Sequence, residues 1–274
     1  MKIFKKSVPM YHLKQIPSEA KIKKIVRRIL FGTHLYCPRC KSRSVYRSES
    51  RYRCRKCRRP FSLTSNTWLS NMKLPWQQFY TLLWCWLNHM PITQSIKITG
   101  LSEVSIRKWF EEFRLNTPDP DWLSSLKDTI QMDEAFFRNK AVIAAKDTIA
   151  KKVILRVIPK KYVEKQNVSQ FIARHVEPGS KLFTDGASYY RGIQKFWPVT
   201  HKKDIHSKWE FGLTSEIEGV FGNLRTFIRR KYHHVTCSKL ENVVAEFEAN
   251  FNHPEIFKNP HEYLRNSLFL VPTC

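Results

Sequence analysis

From residue 125 onward, the sequence alternates between strand patterns and helix patterns in an order that few folds can accommodate. Strand patterns occupy five segments: 129–137, 141–145, 153–158, 181–185 and a short stretch near 199–201. Helix patterns occupy two longer segments: 162–175, and 214 to about 230. Because a sheet and helices that interleave along the chain must cover each other's apolar faces, we predict an α/β domain with a mixed five-stranded sheet.

The order of these segments narrows the fold further. It runs three strands, a helix, a strand, a short helix, a strand and a long helix, which is the order of an RNase H-like fold with flanking helices. The chain has 274 residues, enough for this domain and for smaller modules before it.

The first strand, Thr129–Phe137, carries the acidic pair Asp133 and Glu134. Side chains alternate along a strand, so Asp133 shares a face with Gln131, Ala135 and Phe137, while Glu134 belongs to the opposite face. We therefore expect that the two acids do not point into one site. A lone carboxylate on this apolar strand is costly to bury, so Asp133 either meets an Arg or Lys or helps to hold a metal.

Asp185 is a second acid at the end of a strand, and Gly186 follows it. Asp-Gly is a common turn pair, so a turn role and a metal-binding role both fit this position.

The third acidic candidate lies near the start of the last helix pattern, where Glu216 and Glu218 flank an apolar face on opposite sides. The Glu218 side continues with a small residue and two basic ones: Gly222, Arg225 and Arg229. That combination suits a metal ligand facing bound DNA, so we choose Glu218 and keep Glu216 as the alternative.

The charge balance indicates a polyanionic partner. Lys and Arg outnumber Asp and Glu by 48 to 23, which gives a formal net charge of +25. Nucleic acid fits this excess, because its phosphates exchange counterions for basic side chains. An anionic membrane is the competing explanation, but the sequence holds no run of 18 apolar residues.

The sequence also opens without a signal-peptide pattern. We therefore expect an intracellular protein, in the cytoplasm or nucleoid of a bacterium or in the nucleus of a eukaryote.

Two CxxC motifs predict a structural zinc site. Cys37 and Cys40 are followed, after thirteen residues, by Cys54 and Cys57. Each motif presents two thiolates from a tight turn, and four thiolates complete a tetrahedral zinc ion without an open position. In an intracellular protein, metal binding or free thiols are favoured over disulfides, and Cys85, Cys237 and Cys274 fit ordinary thiols.

The predicted zinc ribbon is strongly basic, which favours contact with DNA phosphates. Five of its basic residues are candidate DNA contacts: Arg39, Arg55, Lys56, Arg58 and Arg59.

Helix patterns surround the ribbon on both sides. Residues 16–30 fit an amphipathic basic helix, and 76–89 fit a buried aromatic helix. Residues 92–98 and 103–114 form two helix patterns separated by a short turn with Gly100, and Ser102 is placed as an N-cap. This arrangement matches a DNA-binding helix-turn-helix, with Arg107 and Lys108 on its second helix as candidate DNA contacts.

The linker at 116–121 contains two prolines and marks a boundary. We divide the chain into a basic N-terminal helical segment (1–30), a zinc ribbon (31–66), a helix-turn-helix domain (67–118) and a catalytic domain (119–274).

Several of these motifs together resemble the ISXO-like DDE transposases of bacterial insertion sequences, which are related to Merlin elements. The resemblance covers roughly residues 30–255 and includes the ribbon end at 54–62, Met132-Asp-Glu, Thr184-Asp-Gly with Tyr189 or Tyr190 after it, His201, Thr214-Ser-Glu-Ile-Glu-Gly and Tyr232-His-His-Val. Ser215 departs from the usual asparagine, and Arg225 stands where lysine is usual.

The resemblance implies catalytic acids at Asp133, Asp185 and Glu218, with Arg225 as the basic residue seven positions after the glutamate. Three such carboxylates hold two Mg²⁺ or Mn²⁺ ions in the two-metal mechanism. It also implies double-stranded DNA partners (terminal inverted repeats and target DNA) and a homodimer or larger assembly. Arg229 and Arg230, in the last helix pattern, are further candidate DNA contacts. His201, His233 and His234 either contact DNA or are structural.

Two other functions fit parts of the sequence. One is a zinc-ribbon and helix-turn-helix regulator with an inactive C-terminal domain, and the other is an RNase H-like nuclease without strand transfer. A regulator would not need three acids in this order.

Overall fold

The structure, a computed structural model, describes residues 16–120, 124–160, 162–203 and 214–271. Residues 1–15 of the predicted N-terminal segment, Asp121 of the linker and Cys274 lie outside the described residues.

The helices are α1 (Glu19–Phe31), α2 (Trp76–Leu87), α3 (Ile92–Thr99), α4 (Glu103–Leu115), α5 (Lys165–His175), α6 (Ser215–Lys231), α7 (Leu240–Asn252) and α8 (Pro260–Ser267). The strands are β1 (Val45–Ser48), β2 (Arg51–Cys54), β3 (Pro60–Phe61), β4 (Thr129–Phe137), β5 (Lys140–Asp147), β6 (Val153–Ile158), β7 (Lys181–Thr184) and β8 (Thr200–Lys203). Among the described residues, none of these helices is long and apolar enough to cross a bilayer.

The chain forms two units, one of Met1–Pro118 with Glu255–Cys274 and one of Asp119–Pro254. The last twenty residues thus group with the N-terminal unit, which differs from the predicted boundary of the catalytic domain at 119–274. Tyr263 of α8 explains this grouping: its ring lies 5.3 Å from that of Trp86, and its hydroxyl donates to the Phe113 carbonyl. The Trp68 indole also donates to the Ser267 carbonyl at 3.0 Å.

The helical part of the first unit follows the sequence patterns closely. α1 buries Ile22, Val26 and Leu30 on one face, as an amphipathic helix should. α3 and α4 are joined at Gly100, whose φ of 68° is one that glycine adopts without strain. The Ser102 side chain accepts from the Ser105 amide, which confirms the predicted N-cap of α4. That this helix pair is a DNA-binding helix-turn-helix remains a prediction.

The zinc-ribbon region is a three-stranded antiparallel sheet in the order β1-β2-β3. The register pairs Val45 with Cys54 and Tyr46 with Arg53, so the second CxxC motif starts at the end of a strand. The predicted ribbon is therefore present.

The sheet of the second unit has the order β6-β5-β4-β7-β8. β4, β5 and β6 are antiparallel neighbours, whereas β7 and β8 run parallel to β4. This arrangement confirms the predicted mixed five-stranded, RNase H-like sheet. The short helix expected between β7 and β8 consists of two 3₁₀ turns, Ser188–Tyr190 and Ile193–Lys195.

The sheet separates two cores, and β4 contributes to both. Ile130 and Met132 lie in the core that includes α5, while Ala135 and Phe137 pack in the core that includes α6 and α7. The alternation predicted for this strand is therefore confirmed for its apolar positions.

Side chains of α7 cover the edge strand β6. The Asn252 amide accepts from the Val153 N–H and donates to the Val153 carbonyl, both at 2.9 Å. The Glu248 carboxylate accepts from the Leu155 N–H at 2.7 Å. These contacts replace the partners that a further strand would provide, so they protect the edge from pairing with another chain. The sequence reasoning did not anticipate α7.

Candidate active site

β4 and β7 bring the first two predicted acids together. Their parallel register pairs Thr129 with Lys181 and Gln131 with Phe183. Continuing that register by two residues places Asp185 beside Asp133, immediately after β7 ends at Thr184. The two acids therefore meet where the shorter strand stops.

Asp133, Glu134 and Asp185 form one carboxylate group. One oxygen from each of them lies within 4.8 Å of the other two, and all three side chains are partly buried. The expectation that Glu134 points away from the site of Asp133 is therefore wrong. Pairing between β4 and β7 ends at Gln131, so no residue of β7 pairs with Glu134, and the Glu134 carboxylate lies with those of Asp133 and Asp185.

Tyr190 holds Glu134 in this group. Its buried hydroxyl donates to Glu134 Oε2 at 2.9 Å. Burial raises the pKa of Glu134 to about 8, and the charges of Asp133 and Asp185 act in the same direction, against the Tyr190 hydrogen bond. Burial, followed by the charge of Glu134, also raises the pKa of Tyr190 well above its usual value.

The loop after β7 is shaped by Asp185 and its neighbours. Asp185 Oδ1 accepts from the Ala187 N–H at 3.0 Å, as in a turn. The same carboxylate also belongs to the group with Asp133 and Glu134. His201 Nε2 lies 2.8 Å from the hydroxyl of the fully buried Thr184. Burial, with a smaller effect of Lys203, lowers the pKa of His201, so the ring is neutral near pH 7. These contacts favour a structural role for His201, whereas His233 and His234 are exposed.

Glu216 and Glu218 have different surroundings at the start of α6. Glu216 Oε2 lies 2.7 Å from Lys146 Nζ and 3.3 Å from Lys151 Nζ. The hydrogen bond to Lys146 is the main reason that the pKa of Glu216 is lowered. Glu218 is exposed, and the Thr214 hydroxyl lies 3.4 Å from its Oε1.

Neither glutamate of α6 belongs to the group of Asp133, Glu134 and Asp185. The role of Glu218 as the third acid remains a prediction. The structure weakens the alternative, Glu216, because two lysines already pair with it.

The predicted basic residues of α6 lie on its exposed side. The Arg225 guanidinium lies over the Phe137 ring, 5.8 Å from its centroid, so Arg225 is held beside the end of β4. Arg229 and Arg230 are exposed in the last turn of the helix.

The four cysteines of the ribbon come together as predicted. Their sulfur atoms all lie within 4.8 Å of one another, with Cys37 Sγ 3.7 Å from Cys57 Sγ and Cys40 Sγ 3.5 Å from Cys54 Sγ. Sulfurs around a tetrahedral zinc ion with bonds of about 2.3 Å would be about 3.8 Å apart. The donor set and its spacing therefore fit zinc.

The predicted DNA contacts of the ribbon are all exposed: Arg39, Arg55, Lys56, Arg58 and Arg59. The Arg55 guanidinium lies over the Tyr46 ring, 5.2 Å from its centroid. Tyr46, Arg53, Arg55 and Arg58 line one shallow cavity with Cys54. On α4, Lys108 is exposed and Arg107 is paired with Glu103 at 2.6 Å.

The carboxylate group fits a divalent cation that prefers oxygen ligands, such as Mg²⁺ or Mn²⁺. Sequence reasoning missed two members of this site, Glu134 and the Tyr190 that holds it. The motif after Thr184 included Tyr190, but only the fold shows which residue it contacts.

Two family models match parts of the chain. Residues 125–252 match the family described as the ISXO2-like transposase domain, and residues 17–60 match the transposase zinc-ribbon domain. A search of curated proteins found no match.

Several solved structures are similar at low sequence identity. One, a simian T-cell lymphotropic virus intasome in complex with PP2A regulatory subunit B56 gamma, is 13% identical with a TM-score of 0.38, over 63% of this chain and 68% of that chain. The catalytic core of BIV integrase is 16% identical with a TM-score of 0.33, over 45% of this chain and 82% of that chain. The HTLV-2 integrase catalytic core in complex with magnesium is 16% identical with a TM-score of 0.32, over 46% of this chain and 86% of that chain.

Proposed function

We propose that this chain is a DNA transposase that cleaves element ends and joins them to target DNA. The proposal is supported by the matches of residues 125–252 to the ISXO2-like transposase domain and of residues 17–60 to the transposase zinc-ribbon domain. The observation that carries this proposal is the meeting of Asp133, within β4, and Asp185, just after the end of the parallel strand β7. A regulator that only binds DNA would not need these carboxylates beside each other.

Asp133 and Asp185 would help to hold two Mg²⁺ or Mn²⁺ ions. Glu218 is the proposed third ligand from α6, and Glu134 is the carboxylate already beside the pair. Bound divalent cations would favour deprotonation of the attacking hydroxyl and offset the charge that develops on the phosphate. Arg225, stacked on Phe137 and exposed, is placed to contact a phosphate near the cleaved bond.

Two phosphoryl transfers make up the proposed reaction. In the first, water attacks a phosphodiester at the element end, the bond to the 3′ oxygen breaks, and that oxygen leaves as a free 3′-hydroxyl. In the second, this hydroxyl attacks a phosphodiester of the target and displaces another 3′ oxygen. Phosphodiester bonds broken and formed are equal in number in the second step, so no external energy source is required.

DNA binding is assigned to the basic surfaces of both units. In the ribbon, Arg39, Lys56 and Arg59 would contact phosphates, together with Arg55 and Arg58 beside Tyr46. Arg107 and Lys108 of α4 and Arg229 and Arg230 of α6 are further proposed contacts. A zinc ion on the four cysteines would hold the ribbon in shape, and a dimer or larger assembly would act on two DNA ends inside the cell.

A nicking and joining assay tests the proposal. The zinc-loaded protein is incubated with Mg²⁺ and labelled duplex carrying the terminal repeats that flank its coding sequence. Nicks at the element end together with joined products support a transposase. Nicks alone indicate a nuclease, and binding alone indicates a regulator, so either result overturns the proposal.

Matched variants identify the acids in the same assay. Asp133→Asn and Asp185→Asn are expected to lower nicking at least a thousandfold while leaving DNA binding intact. The control is Asp128→Asn, an exposed acid just before β4 whose φ of 64° asparagine also tolerates. Full nicking by Asp133→Asn would show that the carboxylate group is not the active site. Glu218→Gln and Glu134→Gln, measured side by side, decide which glutamate completes it.

A further inference from the structure

We propose that Gln131 is a positioning residue that fixes the first turn of α6 against the strand of Asp133 and thereby sets where Glu218 is presented. This inference rests on the proposed function, because it concerns how the third carboxylate reaches the site.

Gln131 caps α6 from a neighbouring strand. Its side-chain Oε1 accepts from the backbone N–H of Glu216 at 2.9 Å and of Ile217 at 3.0 Å. The first amides of a helix have no partner one turn earlier and are usually capped by the residue before the helix. Here that residue, Thr214, makes no side-chain cap hydrogen bond. The buried Gln131 amide therefore takes over the cap from another element.

A buried lysine next to Gln131 makes a second tether to the same turn. Lys146 stands directly opposite Gln131 in the register of β4 and β5. Its side chain is only 4% exposed, and its Nζ lies 2.7 Å from Glu216 Oε2. A buried ammonium needs such a partner, so Glu216 helps to hold the helix, which makes Glu218 the better candidate for a metal ligand.

These tethers connect two of the three predicted metal ligands, Asp133 and Glu218, through a short path. Asp133 lies two residues after Gln131 on the same face of β4, and Glu218 follows the second capped amide directly. Loss of the cap would free the first turn of α6 to shift or fray. The acid on that turn would then lose its fixed position relative to Asp133, although its own side chain is unchanged.

The positioning role of Gln131 is tested by measuring Mn²⁺ binding and the Mn²⁺ dependence of nicking. The substitution Gln131→Leu keeps the approximate size of the side chain but removes the oxygen that accepts the two hydrogen bonds. Gln131→Glu keeps an accepting oxygen at the same position. For Gln131→Leu we expect the Mn²⁺ dissociation constant, measured by calorimetry on zinc-loaded protein, to rise about tenfold, as for the loss of other residues that orient metal ligands. The Mn²⁺ concentration for half-maximal nicking should rise in parallel. Gln131→Glu should remain within about threefold of the wild type.

Two controls separate positioning from general destabilisation. Asn252→Ala removes an interaction at the far edge of the same sheet and should lower the unfolding midpoint without changing Mn²⁺ affinity. In a double-mutant cycle, Gln131→Leu should weaken Mn²⁺ binding little further once Glu218→Gln is present, because both act through one ligand.

The proposal is overturned if Gln131→Leu lowers only the unfolding midpoint, if its effect on Mn²⁺ binding persists in full with Glu218→Gln, or if Glu218→Gln itself binds Mn²⁺ like the wild type. These failures differ from failure of the proposed function. If the proposed function is wrong, Asp133→Asn will still nick DNA. If only the role of Gln131 is wrong, Asp133→Asn will be inactive while Gln131→Leu binds Mn²⁺ and nicks DNA like the wild type.

Discussion

At the scale of residues, neighbours in sequence experience different environments. Asp133 and Glu134 are adjacent; Glu134 accepts a hydrogen bond from the buried Tyr190, and burial raises the pKa of Glu134. Glu216 and Glu218 are two positions apart, and only Glu216 pairs with Lys146. The chemistry of each carboxylate is thus set by its contacts across the sheet.

The Tyr190 hydroxyl is expected to contribute to stability. Tyr190→Phe leaves a partly buried carboxyl without its donor, so the free energy of unfolding should fall by about 1–2 kcal/mol. Chemical denaturation followed by circular dichroism measures this change. Tyr189→Phe, in the adjacent ring of the same 3₁₀ turn, is the matched control and should stay within about 0.5 kcal/mol of the wild type. Equal losses for both variants would contradict the assigned hydrogen bond.

His175 should make the protein sensitive to acid. Burial, followed by the charges of Arg156 and Arg174, lowers the pKa of His175 to about 4. The unfolded chain, with an ordinary pKa near 6.5, therefore binds the proton more tightly, and stability falls as the pH decreases from about 6.5 to 4. The loss attributable to this residue should be about 3 kcal/mol. His175→Phe should remove that part of the pH dependence in denaturation curves, and an unchanged curve would refute the assignment.

At the scale of elements, α7 serves as a cover for the edge of the sheet. Helices usually pack on sheet faces through apolar side chains, and α7 does so through Val244 and Phe247. It also offers polar side chains to the backbone of β6: Asn252 pairs with the N–H and the carbonyl of Val153, and Glu248 accepts from the N–H of Leu155.

Removing this cover should both destabilise the sheet and expose its edge. Asn252→Ala is expected to lower the free energy of unfolding by about 1–3 kcal/mol, because a buried N–H and a carbonyl lose their partner. The open edge should also increase self-association, measured by analytical ultracentrifugation. Asn250→Ala, on the same helix, controls for helix propensity. Comparable losses in the two variants would show that the edge contacts of Asn252 contribute nothing specific.

The ribbon is expected to depend on its metal. Its three strands are only four, four and two residues long, and its core consists mainly of the cysteines with Phe61. Such a small sheet has too little apolar surface to remain folded alone. Chelation of zinc should therefore abolish strand signals of residues 45–61 in NMR spectra, and added zinc should restore them. A ribbon that kept its spectrum after complete chelation would not require zinc.

At the scale of the whole molecule, net charge matters more than any one contact. With a net charge of +25, the chain should bind DNA of any sequence at low salt, and most of this affinity should disappear as salt rises. Specific recognition then depends on which basic groups lie at fixed positions, such as Arg55 on Tyr46.

Salt dependence provides a measure of the proposed ribbon contacts. If Arg55 and Arg58 each neutralise one phosphate, replacing both with alanine should reduce the slope of log affinity against log salt by about 1.8. Fluorescence anisotropy at several salt concentrations gives that slope. Lys160→Ala, which removes a lysine already paired with Glu164 at 2.9 Å, should leave it nearly unchanged. A slope that changed equally in both variants would place DNA contact outside the ribbon cavity.

The sequence by itself determined the local features of this protein. Alternation placed β4 at Thr129–Phe137 and assigned its apolar faces, while the two CxxC motifs predicted the sulfur cluster. The order of strands predicted the sheet that brings Asp133 to Asp185. These properties are encoded locally, because strand alternation, knuckle spacing and capping act within a few residues.

Only the tertiary structure shows which acids lie together and which pair with basic residues. Glu134 joins the carboxylate group beyond the point where pairing between β4 and β7 stops, and Glu216 pairs with Lys146, which lies across from Gln131. The grouping of Glu255–Cys274 with the N-terminal unit likewise depends on aromatic contacts between distant segments. Each of these outcomes depends on where one segment ends against another, and no short-range pattern in a single sequence carries that information.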